Sequence, residues 1–443
     1  MQNNVSMGHL LLNAWSTVGS VALAILILLV MITIHEFGHY LAGRLLGFRI
    51  EEFSVGFGPA LFKRRSKKTG ELFALRLIPL GGYCAFAGED GLEDEAEKCP
   101  PQEPFADMGA PSAAGKAAEG DAQTPPAGEG LAQTLSAGEG AEGEERPVSE
   151  APVPRGGEFT KMAPWKRIVV LISGALMNYF LAVLLLIACF FAYGQTMVAV
   201  YRAQPSDDIP AGYCLKDYDV FLEAEGRKLY LTTDFAQAIN GKKEGDLVEF
   251  LVSRVVGTDA EGRYLREEMT VKVELRAAVN VRNSADLDGV WRALGIAYEA
   301  EGESGTWMLA NASYRFGFWE TLCRAFAYSF KIAGSIFKVL GELLTGQLGL
   351  SALGGPVTTI TLTSQIAGRS LRGFLEIAGF LGVNLAVFNL LPIPALDGSK
   401  VVFTAIEWVR KKPISRKVEA VIHAVGFLLL LGFAVLVDIL QFV

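Results

Sequence analysis

His35-Glu36-Phe37-Gly38-His39 sets two imidazoles four residues apart with a carboxylate between them, at the end of an uncharged apolar run, residues 18–34. Residues four apart share one face of an α-helix, so both rings can reach one tetrahedral divalent cation and leave a position for water. Glu36 flanks that face, where its carboxylate can take a proton from water polarised by the metal and pass it to a departing amine. Peptide hydrolysis is the chemistry this His-Glu-x-x-His spacing suggests. The apolar setting sharpens the reading. Two histidines and a glutamate near a bilayer interior are costly unless they bind something, and a solvated helix face does not account for them there.

A third ligand has to come from another element at the same depth. Asp397 is the candidate, in Asn389-Leu390-Leu391-Pro392-Ile393-Pro394-Ala395-Leu396-Asp397-Gly398 at the end of a later apolar stretch. The prolines and the glycine break a helix there, which membrane proteins tolerate where backbone lines a cavity or a site. A helix-terminal aspartate with a capping role is the alternative.

These residues need a membrane scaffold, and the composition supplies one. Apolar residues make up 51% of the chain, and four stretches, about residues 16–41, 168–193, 374–396 and 420–437, are long enough to cross a hydrocarbon core of about 30 Å. The first lacks the basic start of a cleaved signal peptide. No Lys or Arg precedes it, whereas Arg44, Arg49, Lys63, Arg64 and Arg65 follow it, and Lys161, Lys166 and Arg167 precede the second. Lys400, Arg410, Lys411, Lys412, Arg416 and Lys417 crowd the connection between the third and fourth. Both basic segments are therefore expected in the cytoplasm, both termini outside, and the histidine motif in the cytoplasmic half of the membrane, about 7 Å of helix rise from Arg44.

With these motifs in hand, the chain resembles the site-2 protease family of intramembrane zinc metalloproteases, specifically the bacterial RseP type. The likeness rests on HEFGH in the first span, NLLPIPALDG in the third, and Ile78-Pro79-Leu80-Gly81-Gly82-Tyr83 between them. It implies zinc bound by His35, His39 and Asp397, Glu36 as catalytic base, and Asn389 with Pro394 shaping the substrate passage. Ser399 stands where the family usually has a second glycine after Leu-Asp-Gly. Asn178, in Ser173-Gly174-Ala175-Leu176-Met177-Asn178, is similar to the family's Gly-Pro-x-x-Asn segment; an amide inside a bilayer needs a partner, and contact with substrate and packing within the bundle both remain open.

The remaining chain divides by character. Residues 1–47 hold the first span. In 48–89, Phe53, Val55 and Phe57, then Phe73, Leu75 and Leu77, alternate with small or polar residues around a basic turn at 67–70, predicting a β-hairpin. By resemblance this is a membrane-associated β-loop whose open edge pairs with a substrate strand. Residues 90–158, rich in Ala, Gly, Pro and Glu with a near-repeat at 122–130 and 132–140, read as a disordered acidic cytoplasmic insert. Residues 159–194 contain the second span. Residues 195–300 look like a PDZ domain of protease type, with a helix at 233–239 and strands at 247–252 and 270–275; Tyr218 and Glu225 replace its usual Gly and Asn. Residues 301–373 form an extracytoplasmic linker whose segment 318–344, carrying Arg324, Lys331 and Lys338 among apolar residues, is expected to lie on the outer membrane face. Residues 374–443 hold the last two spans.

The expected protein is thus a polytopic α-helical membrane protein with four transmembrane helices, a membrane-associated β-hairpin and an extracytoplasmic PDZ-like α+β domain, in a bacterial plasma membrane. Its expected activity is hydrolysis of a peptide bond within or near the span of a single-pass membrane protein, with zinc as cofactor, lipids as surroundings and an upstream site-1 protease acting first. Anti-sigma factors and signal-peptide remnants are the substrate types the resemblance implies. Five cysteines without a CxxC pair exclude a cysteine zinc site, and no basic face suggests nucleic acid. His9 and His423, far from the motif, are expected to be incidental. A catalytically idle scaffold using the PDZ-like domain is the competing class; a metal transporter would need several polar residues facing a through-path, and the second and fourth spans offer almost none.

Overall fold

The computed structural model describes residues 2–89, 154–201, 215–281, 283, 287–294, 296–297, 307–350 and 353–442. Most of the acidic insert, 90–153, lies outside the described residues.

Helix α1 (Gln2–Leu46) buries Ala24, Ile27, Met31, His35 and His39, a stripe at spacings of three and four that faces the bundle. Its partner is α2 (Pro164–Tyr193), started by a proline at the first position, where no amide donor is needed. Gly38 and Gly174 meet where the two helices cross: a Cβ on either would collide with the other helix or with the imidazoles. Ser173 Oγ donates to the Gly38 carbonyl at 3.0 Å across the same contact. Small residues thus permit an approach that larger ones forbid.

Between these helices, β1 (Ile50–Arg65) and β2 (Leu72–Phe86) form an antiparallel pair with a turn in which Gly70 N bonds Ser66 O. The middle of β1 has partners on both sides, Phe53 opposite both Phe73 and Cys84 and Val55 opposite both Leu75 and Gly82. The chain on either side of residues 90–153 is stitched together: Arg49 N bonds Gly157 O, Gly157 N bonds Gly47 O, and Phe159 N bonds Ala87 O. Phe48, Phe86 and Phe159 pack as a buried aromatic triplet beneath these bonds.

After α2 comes the second sheet: β3 (Gln195–Tyr201), β4 (Val220–Ala224), β5 (Arg227–Lys228), α3 (Thr233–Ile239), β6 (Leu247–Thr258), β7 (Tyr264–Glu274), α4 (Asp288–Ala293), β8 (Ile296–Ala297) and β9 (Trp307–Tyr314). The order is β7-β6-β4-β3-β9-β8, with β5 beside β4, so the sheet takes in a strand beyond residue 300. Phe221, Phe235, Phe250 and Trp291 fill its core. Tyr218 and Glu225 adopt left-handed conformations, φ 67° and 50°, at turns that favour glycine or asparagine. Arg254 makes two charge-assisted bonds, 2.6 and 2.9 Å, to the fully buried Asp219.

Helix α5 (Phe318–Leu344) joins this sheet to the bundle. Ile332 and Ile336 pack with Ala182, Val383 and Val387, while buried Arg324 donates to Leu229 O and Lys331 pairs with Asp234 at 2.7 Å. A further short helix, α6 (Pro356–Ala367), has its first amides capped by the Asp438 carboxylate. Helix α7 (Leu371–Leu390) ends six residues earlier than the sequence suggested, because Pro392 forces Leu391 into an extended conformation, ψ 144°. Asp397 therefore opens α8 (Asp397–Arg410) and does not close the third span. The last helix is α9 (Arg416–Phe442). Among the described residues, four helical segments are long and apolar enough to cross a membrane: Val18–Leu46, Pro164–Tyr193, Leu371–Leu390 and Arg416–Gln441.

Candidate metal centre

Near the C-terminal end of α1, the stripe that packs on α2 ends in His35 and His39, each 7% exposed. Their Nε2 atoms are 3.1 Å apart. The Asp397 carboxylate, carried in from the start of α8, puts Oδ2 2.8 Å from His35 Nε2 and 3.2 Å from His39 Nε2. Among the described residues this is the group of three or more His, Cys, Asp or Glu side chains able to hold a metal ion.

Whether such an ion fits can be judged from the donors. Two imidazole nitrogens and a carboxylate oxygen are the set used by catalytic zinc, and ligands about 2.0–2.1 Å from a tetrahedral zinc lie roughly 3.3 Å from one another, so the observed separations need to open only slightly. The rear nitrogens agree. His39 Nδ1 lies 2.8 Å from the Val170 carbonyl, a bond that puts the ring proton on Nδ1 and aims the Nε2 lone pair into the centre. The fully buried Asn178 amide lies behind His35, its Nδ2 3.4 Å from Nδ1, while its Oδ1 is buried without a partner among the described residues. A half-turn of that amide gives Oδ1 the Nδ1 proton of a metal-binding His35 and satisfies both groups.

Glu36 lines a cavity of about 160 Å³ together with His39, Tyr83, Cys84, Asp397 and Lys400. The β2 edge runs beside it, so close that a Cβ on Gly82 would sit 3.2 Å from Glu36 Cγ. Burial foremost, then the carboxylates around it, pushes the Cys84 thiol up. Lys400 pairs with Glu89 at 2.7 Å, tying α8 to the end of the hairpin. Further out on the hairpin, Arg76 donates to Glu52 at 2.6 Å and to the Tyr83 hydroxyl at 2.7 Å, and Tyr83 donates to Glu52 at 2.8 Å. Burial raises the Glu52 carboxyl, but those hydrogen bonds outweigh it and hold it below the ordinary carboxylate range.

Sequence-derived candidates fall in different places. His35, His39 and Asp397 converge, with Glu36 on the adjoining cavity wall. Asn178 stands behind His35. Asn389 is half-buried in the last turn of α7, and Pro394 lies in the turn before Asp397, pressed against Gly426 of α9. His423, expected to be incidental, makes a contact near the site: its Nδ1 accepts the Ala395 N–H at 3.0 Å, two residues before Asp397. The sequence signal pointing to it is the cost of an imidazole in an otherwise apolar span. The side chain of His9 lies outside the described residues.

Comparison with known proteins agrees in extent as well as chemistry. Peptidase family M50 matches residues 23–433. The chain is similar to the zinc metalloprotease RasP of Bacillus licheniformis, 29% identical over 441 residues, covering 93% of this chain and 96% of the relative. It is equally similar to the regulator of sigma-W protease RasP of Bacillus subtilis, 29% identical over 447 residues, covering 94% and 97%.

Proposed function

Because this chain belongs to peptidase family M50, the site-2 proteases, and is accordingly a zinc metalloprotease of the membrane, we propose that it hydrolyses a peptide bond within or near the span of a single-pass membrane protein. The observation that carries this reading is the convergence of His35, His39 and Asp397 beside Glu36 at one end of the apolar α1–α2 pair. In this reading His35, His39 and Asp397 hold the ion. A bound zinc supplies Lewis acidity to the scissile carbonyl and to the attacking water.

The side chains do the rest. Val170 O and Asn178 fix the two imidazoles from behind. Glu36 takes a proton from the attacking water in the small cavity and returns it to the departing amine. Apolar surroundings exclude bulk water and strengthen each of these interactions. The side of β2 away from β1 at Gly81 and Gly82, which no other described strand covers, offers backbone hydrogen bonds to a substrate segment that has left its helix, replacing those the helix gave up. Asn389 and Pro394 belong to the substrate passage. The distribution of Lys and Arg supports an orientation with both termini outside and the site toward the cytoplasm. The β3–β9 domain would then stand outside as a PDZ-like filter for substrates already trimmed by a site-1 protease. One relative's name ties it to regulation of sigma-W, which supports an anti-sigma-factor-like substrate.

The test is cleavage of a tagged single-span substrate in detergent by the natural protein and by Glu36→Gln. The variant should lose about 10²–10⁴-fold in turnover while binding zinc as before. Undiminished cleavage by Glu36→Gln would remove the proposed base.

A further inference from the structure

Asp397 reaches the metal centre from a turn, residues 391–396, whose geometry is unusual. Ala395 has φ 78°, a left-handed conformation that is costly for a residue with a Cβ and persists only where surrounding contacts impose it. Contacts from the turn's own neighbourhood are local: Ser399 Oγ donates to Leu396 O at 2.7 Å, and Gly398 sits so tightly on the last carbonyls of α7 that a Cβ would overlap them. The contact at Ala395 itself is made by a different helix. His423, on α9, accepts the Ala395 N–H through Nδ1 at 3.0 Å. One turn further along the same face of α9, Gly426 lets the helix press on Pro394, where a Cβ would overlap the proline ring.

The ring is placed for this contact. Accepting at Nδ1 puts its proton on Nε2, which is buried without a hydrogen-bond partner among the described residues and has Glu419 Oε1 4.0 Å away. The Phe403 ring of α8 packs edge-on against it, centroids 5.7 Å apart at 73°. Elsewhere α9 is lean in protein contacts, with Phe427, Leu428 and Leu429 all exposed for lipid. A polar ring in such a span is expensive unless it meets a partner, and the partner it meets is the peptide two residues before the carboxylate.

We infer that His423 is a positioning residue for the metal centre: it holds the Ala395 peptide in its strained conformation and thereby sets the Asp397 carboxylate against His35 and His39. The inference rests on the reading of Asp397 as a ligand. It makes α9, which contributes no ligand, a determinant of metal affinity.

Two substitutions separate this from packing. His423→Leu keeps bulk beside Phe403 and removes the acceptor, whereas His423→Asn returns an acceptor near the position of Nδ1. Zinc affinity is measured by competition with a chelator on the full-length protein in detergent, stripped of metal and reloaded, with thermal unfolding followed in parallel. His423→Leu should lose about ten- to hundred-fold in zinc affinity, and His423→Asn should recover most of it at similar thermal stability. Unchanged affinity in His423→Leu, or an equal loss in both variants, overturns the inference while leaving the metal centre standing. Failure of the natural protein to take up zinc would overturn the metal centre and the inference together.

Discussion

His35 and His39 arrive on one continuous helix, whereas Asp397 arrives on a bent turn between two others, and the two flanks of the centre are secured by different physics. On the histidine flank, glycines let α1 and α2 close on each other, and the rear nitrogens meet a main-chain carbonyl and a fully buried amide. On the aspartate flank, a hydroxyl, a tight glycine and the ring of His423 hold a turn whose carboxylate is partly exposed. Dense packing fixes the two histidines in advance; the aspartate depends on a few hydrogen bonds. The histidine flank should therefore fail abruptly when its volume changes, and the aspartate flank should fail by degrees.

The harshest way to break this contrast is Gly174→Leu. A side chain there occupies the space of both imidazoles, so zinc uptake, measured by metal analysis of the purified protein, should be abolished; retention of stoichiometric zinc would show that the crossing is looser than its glycines imply. Asn178→Leu is gentler. It keeps the volume and removes the amide behind His35, so zinc affinity should fall about ten- to hundred-fold, and a chelator titration matching the natural protein would deny the amide any hold on the ring. Smallest is Ser399→Ala on the other flank, which deletes one bond to Leu396 O worth about 1 kcal/mol, roughly five-fold in affinity if all of it reaches the metal. A collapse of binding in that variant, as complete as for Gly174→Leu, would erase the difference between the flanks.

The same contrast governs what the sequence discloses. The histidine pair and Glu36 are legible because helical spacing alone puts them together, and the four apolar stretches and the hairpin turn at 67–70 follow from equally local patterns. Helix α3 falls on the residues that periodicity indicates, 233–239. Contacts set by distant partners are not written locally. Nothing near residue 310 announces that β9 will lie beside β3, and α6 is too short and too mixed in composition to stand out from its linker. Placing Asp397 at the end of a span misjudged how early Pro392 stops α7. His423 escaped for the same reason: its hydrogen bond crosses 28 residues of chain and depends on how α9 returns. Asn178 is the intermediate case, since its polarity in an apolar helix demands a partner but does not name it.

The stitching of Gly47, Arg49 and Ala87 to Gly157 and Phe159 gives residues 90–153 a departure point and a return point side by side. Closing a long excursion over so short a gap costs free energy that rises only with the logarithm of its length. Descendants of this gene can therefore shrink, expand or recompose that stretch while the scissors on the far side of the aromatic triplet keep their edge. A tag or reporter spliced into it would make a gentle handle on the full-length protease.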